Sequence, residues 1–499
     1  MATLRRNIIA NLAGGAWIAG LTLAITPLQI NLLGMEAYGL LGFIAMLQIV
    51  LSTLDLGLSS TITRELAGDS STNRQASRPL LRTAITFYWG MAGMLGVILF
   101  FSADQIGQAW FKATTISPTE ISEALRVTAI MLALRWPIAL YAAALCGAHR
   151  IDVMNMIKAG MATIRLVGGI MVVLLWRDLS VFLAWIAISA LAEVFTYAVV
   201  CRKAMPEMDW RPGFSFPALQ AVWGFSLSMN GIALLAMGIT QLDRVLISKM
   251  LPLESLGYYS LAYSTATAIS LVLSALSTAL MPAYATAHAH NARDTLLQRY
   301  DNANRVTLFA TGLVLFTLLF FGEPILHIWV NSAAASGAWR PLAMLSIGFW
   351  LSAAVSNAYN AGVACRQPGP LLRISAISAI AYLPVLYGMI DLWGIDGAAG
   401  AWLLLNMGYV LVIVPTVHRR VLDIPVASWY SKTLLPFAAL GIFTFGCARL
   451  VASSLALRPG FDLIMIFLAM IAYVGIGYFL VGDIVRASLG QVFRRVSRI

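Results

Sequence analysis

Arginine is rare inside long apolar segments, and this chain places five there: Arg126, Arg135, Arg165, Arg244 and Arg449. A guanidinium at mid-depth of a bilayer costs roughly 2.5 to 3.5 kcal/mol on insertion scales, so each needs a partner or a wet cavity. Arg135 precedes Trp136 and Pro137, and the proline removes one helical hydrogen bond and bends its segment beside the charge. Arg165 shares a helical face with Lys158 two turns earlier, which makes a short basic stripe; the alternative for Arg165 is a salt bridge to Glu193. Arg126 follows Glu123 by three residues and is expected to pair with it. Ser226, Asn230, Leu234, Met237, Gln241, Arg244 and Ser248 recur at steps of three and four, a mostly polar stripe expected to line a wet internal cavity. The acids at comparable depth are Glu193 and Asp243, with Asp55 nearer the inner face. Arg135, Arg165 and Arg244 outweigh them, and Lys158, Gln241 and Asn230 complete the candidate contacts. Such a surplus attracts anions, because a planar guanidinium donates two parallel hydrogen bonds to a phosphate. Asp55, Glu193 and Asp243 are the candidates for coupling to a proton or sodium ion, set against structural pairing.

The elements that must hold these residues are membrane helices. The 499-residue chain is 60% hydrophobic and 11% charged, against about 25% charged in an average soluble domain. With about 20 residues per span, this length accommodates an all-α integral membrane protein of about fourteen transmembrane helices and leaves no room for a sizeable soluble domain. The expected spans begin near residues 8, 38, 83, 123, 156, 181, 222, 257, 306, 342, 371, 397, 434 and 461. Alternate loops carry the basic residues: with both ends of the chain, one side holds 23 of the 33 and the other only Lys112, Arg177, Lys249, Arg340 and Arg458. That asymmetry puts both termini in the cytoplasm and makes the net charge of +11 a report of orientation rather than of nucleic-acid binding.

The chain also repeats itself. LLGMEAYGLL from Leu32 and MLPLESLGYY from Met250 align Glu36 with Glu254 and Gly39 with Gly257. Nearly the same offset carries Tyr141 to Tyr359, Trp176 to Trp393 and Trp185 to Trp402. Two parallel six-helix lobes around a central cavity are expected, residues 1–205 and 206–420, with 421–499 adding two helices and a basic cytoplasmic tail.

Other residues are expected to be structural. Gly90, Gly93 and Gly96 should permit close helix approach, and Gly394, Gly397 and Gly400 should shape a turn and a helix start. Tyr88, Trp89, Trp110, Trp329, Trp339, Trp393 and Trp429 read as an interfacial aromatic belt. The four cysteines have no redox or metal spacing, His288 and His290 have no cysteine nearby, and there is no phosphate-binding loop for ATP. No metal, cofactor or enzymatic constellation is expected, so energy must come from an ion or substrate gradient.

STLDLGLSSTITRELA (Ser52 to Ala67), QLDRVLISKMLPLESLGYYSLA (Gln241 to Ala262) and GIDGAAGAW (Gly394 to Trp402) resemble the Wzx-type O-antigen and polysaccharide-transport flippases of the MOP (MATE-like) superfamily. The resemblance implies a multi-pass protein of the bacterial inner membrane. Its cargo would be an undecaprenyl-diphosphate-linked oligosaccharide, flipped by alternating access for surface polysaccharide biosynthesis. Membrane lipids and other polysaccharide assembly proteins are the implied partners, and H+ or Na+ the coupling ion. The competing functions are a MATE-type multidrug exporter, which the arginine surplus disfavours, and a lipid II flippase. A membrane glycan polymerase or ligase, from another class, should show a larger outer loop.

Overall fold

The computed structural model describes residues 2–53, 55, 57–67, 78–217, 220, 237–454 and 460–496, all helices and short connections apart from one isolated bridge between Lys112 and Pro252. Among them, ten helical segments are long and apolar enough to cross a bilayer. Two compact units divide the chain, Met1–Gly257 and Tyr258–Ile499.

The first unit contains α1 (Ala2–Leu33), α2 (Met35–Thr53), α3 (Leu58–Leu66), α4 (Arg78–Ala109), α5 (Pro118–Arg135), α6 (Ile138–Gly147), α7 (Ile151–Trp176), α8 (Leu179–Ala204), α9 (237–250) and the start of α10 (Leu253–Ala266). Two spans are interrupted for reasons visible in the sequence. Gly57, at φ +73°, separates α2 from α3, and Pro137 separates α5 from α6. Helix α5 starts in a capping box: the Glu120 N–H donates to Ser117 Oγ, and the Ser117 N–H to the Glu120 carboxylate. The core around α3, α4, α6 and α8 is built from Leu58, Ile62, Tyr88, Leu140 and Tyr197.

Glu36, in the first turn of α2, fastens the 114–116 segment. Its carboxylate accepts from Thr114 N and Oγ1 at 2.8 Å, Thr115 N at 2.8 Å and Oγ1 at 2.5 Å, and Ile116 N at 3.1 Å. The chain just before it holds the α9–α10 turn: Lys112 Nζ donates to the Met250 carbonyl, Leu253 N to the Lys112 carbonyl, and Trp110 Nε1 to Ser248 Oγ.

The second unit comprises the rest of α10, α11 (Ala268–Ala289), α12 (Arg293–Trp329), α13 (Ser332–Ala364), α14 (Pro368–Val417), α15 (Leu435–Ser454) and α16 (Gly460–Val496). At 1.5 Å per residue the segment Pro368–Leu422 would run to about 80 Å, far beyond a ~30 Å hydrocarbon core. It is two helices joined at Gly394, whose φ of 60° and ψ of −134° break the run. Helix α12 packs against α15 and α16 through Phe309, Phe316, Phe445 and Tyr473. It also presents Tyr300 to His418, and Asn304 and Thr307 to the side-chain amide of Asn357 of α13.

Four expectations need correction. Arg126 pairs not with Glu123 but with Asp104 of α4, at 2.6 Å, since the helix that packs beside it offers a nearer carboxylate than its own next turn. A Cβ at Gly90 or Gly93 would meet nothing within 4 Å, and only Gly96, against Ala133, marks a close approach. Tyr88 and Trp429 are buried rather than interfacial. Both aromatic rings lie against other rings, Tyr88 on Trp136 and Trp429 on His418.

Candidate functional site

Three helices of the first unit bring charge together. Arg135 closes the last turn of α5, just ahead of Trp136 and Pro137. Arg165 and Glu193 are set opposite each other because α7 and α8 pack closely: the Trp185 indole lies over Gly168, where no side chain intervenes, and its Nε1 donates to the Arg165 carbonyl at 3.0 Å. Arg165 Nη1 lies 2.8 Å from Glu193 Oε2, and Arg135 Nη2 lies 3.7 Å from the same oxygen. Arg135 Nη1 also donates to Gln48 Oε1 of α2, at 3.4 Å.

Two guanidinium groups therefore share one carboxylate, leaving one net positive charge. The side chains are 26% (Arg135), 18% (Arg165) and 7% (Glu193) exposed, so the carboxylate is the buried centre and Arg135 the more accessible cation. Arg135 opens onto a cavity of about 470 Å³, also lined by Gln48, Ser52, Trp136 and Ala139. In a partly buried setting such a charge is screened less than at a surface. Chemically, the site can hold an anion whose oxygens accept from Arg135 and whose charge offsets the surplus.

The remaining candidates are placed differently. Lys158 is exposed on α7. Gln241, Asp243 and Arg244 lie on α9 and are buried, at 5%, 1% and 5% exposure; Asp243 Oδ1 accepts from the Arg244 backbone N–H at 2.7 Å. They are not among the residues lining the cavity beside Arg135. Asn230, with Ser226 and Leu234, lies outside the described residues. Asp55 is buried between α2 and α3, where Tyr88 donates to Oδ1 and the Ser59 hydroxyl and N–H donate to Oδ2. The fifth intramembrane arginine, Arg449, sits 3.5 Å from Asp462 and over the Phe321 ring.

Sequence reasoning missed Gln48 and Tyr88. Gln48 had a signal, as an amide amid the apolar run FIAMLQIVL. Tyr88 had none, because a tyrosine near a span end reads equally well as an interfacial anchor.

The family described as "Polysaccharide biosynthesis protein" matches residues 4–288. The chain belongs to that family. It is 20% identical over 374 residues to a Shigella flexneri protein described as "Putative O-antigen transporter", covering 74% of this chain and 87% of the relative. Among solved structures it resembles the lipid II flippase MurJ in an inward closed conformation, with a TM-score of 0.77 at 13% identity, over 96% of this chain and all of the other. It also resembles an inward-facing multidrug-resistance MATE transporter of the MOP superfamily, with a TM-score of 0.65 at 13% identity, over 83% and 94% of the two chains. This member of the polysaccharide biosynthesis family thus shares the fold of these MurJ and MATE structures, with many apolar helices long enough to cross a membrane.

Proposed function

We propose that this protein flips a polyprenyl-diphosphate-linked oligosaccharide from the cytoplasmic to the outer leaflet of the bacterial inner membrane, by alternating access, for surface polysaccharide assembly. The observation that carries this reading is the sharing of Glu193 by Arg135 and Arg165 beside a 470 Å³ cavity. A diphosphate head group is the kind of anion that an accessible guanidinium holds in a bidentate way. A cationic drug would meet like charge there. Glu193 holds the two arginines in place, and the exposed Lys158 assists entry. Gln241 and Arg244 on α9 are the further candidate contacts in this reading, with Asn230 outside the described residues.

The asymmetry of 23 basic residues against five supports cytoplasmic termini. The family match and the O-antigen relative support an oligosaccharide cargo, with membrane lipids and other polysaccharide assembly proteins as neighbours. The test is lipid extraction and mass spectrometry on cells depleted of the protein. Accumulation of an inward-facing polyprenyl-diphosphate oligosaccharide is expected. Accumulation of lipid II instead would reassign the cargo, and retention of cationic dyes without any such lipid would replace this reading by an exporter.

A further inference from the structure

Asp55 is held on both oxygens by hydroxyl groups, which suit either of its protonation states. Glu193 accepts from guanidinium groups, which can only donate, so a proton there would strand two partly buried cations. Asp55 accepts on Oδ1 from the Tyr88 hydroxyl and on Oδ2 from the Ser59 hydroxyl at 2.5 Å and, more weakly, from the Ser59 N–H at 3.3 Å. A hydroxyl donates to a carboxylate and, after a rotation, accepts from a carboxylic acid.

No described basic side chain neutralises it. The titratable groups on the surrounding elements include Arg64 and Glu65 on α3, Tyr88 and Arg82 on α4, Arg135 on α5, and Tyr141 and Cys146 on α6. The three arginines have carboxylates elsewhere: Arg64 is 3.1 Å from Glu65, Arg82 3.5 Å from Asp209, and Arg135 shares Glu193. An ionised group buried without a counter-charge is costly, and a proton removes that cost.

The site also has a mechanical link to the cation cluster. The Tyr88 ring lies 5.8 Å from that of Trp136, which directly follows Arg135 at the break between α5 and α6. Trp136 is 6% exposed and its Nε1–H is buried with no acceptor. When Oδ1 carries a proton, the Tyr88 hydroxyl no longer donates to it and must reorient beside an indole that lacks a partner.

We propose that Asp55 is the proton-binding site through which a pH gradient drives transport, with Tyr88 and Trp136 as positioning residues that carry its change of state to Arg135. This rests on the transport reading above, and two readouts keep the two apart. Infrared difference spectroscopy of the purified protein during acid titration reads the protonated carboxyl with no cargo present. Exchange of a fluorescent polyprenyl diphosphate between leaflets of proteoliposomes, with and without a pH gradient, reads coupling.

In the wild type, a carboxylic C=O band that is absent from Asp55→Asn is expected, as is gradient-driven acceleration of up to about tenfold per pH unit for one coupled proton. Asp55→Asn, which keeps the shape and hydrogen bonding, should retain gradient-free exchange and lose the acceleration, while Asp55→Glu retains both. If Asp55→Asn does not fold, Tyr88→Phe takes its place: the band persists and the acceleration is lost. A band unchanged by Asp55→Asn, or an acceleration that survives both Asp55→Asn and Tyr88→Phe, overturns the proposal. Equal loss of gradient-free and gradient-driven exchange also overturns it, leaving Asp55 a structural helix cap. A wild type with the band but no exchange of this lipid defeats the cargo assignment instead, and the coupling proposal with it.

Discussion

Gly39 and Gly257 occupy matching positions in the two repeated turns, and their backbones lie against each other. A Cβ on Gly39 would meet the Leu253 carbonyl and come within 3.0 Å of Gly257 N; one on Gly257 would meet the Met35 carbonyl. The sequence repeat thus has a packing reason at this point: both turns need a residue without a side chain where α2 and α10 begin. Backbone atoms cannot step aside as a flexible side chain can. Gly39→Ala and Gly257→Ala should each destabilise the protein by about 1–3 kcal/mol, as overpacking does. Gly20→Ala, where a Cβ meets nothing within 4 Å, is the control and should be neutral or slightly stabilising. Thermal melting in detergent compares the three.

The same end of the first unit depends on Glu36, whose carboxylate accepts five hydrogen bonds from residues 114–116. Glu36→Ala leaves three backbone N–H groups and two hydroxyls to find other acceptors. A loss of about 3 kcal/mol is expected, in the range for hydrogen bonds to a charged acceptor. Glu36→Gln keeps one accepting oxygen and should lose less. In an Ala113→Cys background, the alanine variant should raise the rate of thiol alkylation, because the segment is no longer fastened; an unchanged rate would show that other contacts suffice to hold it.

Arg135 and Arg165 share a carboxylate, but not equally. Arg165 is the closer, at 2.8 Å against 3.7 Å, and the less exposed. Arg165→Gln should therefore act mainly on stability: breaking a buried pair by removing one partner costs about 3–5 kcal/mol. Arg135→Gln should melt within about 1 kcal/mol of wild type and lose binding of inorganic diphosphate, measured by calorimetry. Glu193→Gln should weaken folding while tightening diphosphate binding, since it removes the anion that competes for both arginines. Loss of diphosphate binding in a folded Glu193→Gln protein would contradict the site as described.

How much of this was legible in the sequence differs between helices and their partners. Apolar runs, Pro137 and Gly394 fix where helices run and break, because those effects act within a few residues of chain, whereas the break at Gly57 falls inside what reads as one span from 38 to 62. The charge surplus was legible too, and so was the pairing of Arg165 with Glu193 as one alternative. Partner choice across helices was not: periodicity assigns Arg126 to a face but does not say that Asp104 on α4 will meet that face. Nor could it show that Arg135, from a third helix, reaches the same oxygen of Glu193, which depends on how closely Trp185 lets α7 and α8 approach over Gly168. Tyr88 was misplaced for the same reason, since its buried acceptor, Asp55, is 33 residues away on another span.

Gly394 tests the second unit in the same physical terms. It joins the two halves of α14 with no intervening loop, at φ 60° and ψ −134°, a combination in which a Cβ clashes with its own backbone. Three residues later, a Cβ on Gly397 would meet the Met389 carbonyl, so the turn is constrained both by its dihedral angles and by the strand of chain folded against it. Gly394→Ala should cost about 1–3 kcal/mol through backbone strain, and Gly397→Ala a similar amount through crowding. The two mechanisms separate in the double variant: once strain at 394 has opened the turn, the second alanine has room, and its added cost should fall below its cost alone. Gly388→Ala, in the same helix with open space around it, should be neutral or stabilising. Melting temperatures of the four variants decide the matter, and strict additivity between residues 394 and 397 would mean that the turn does not move as a unit.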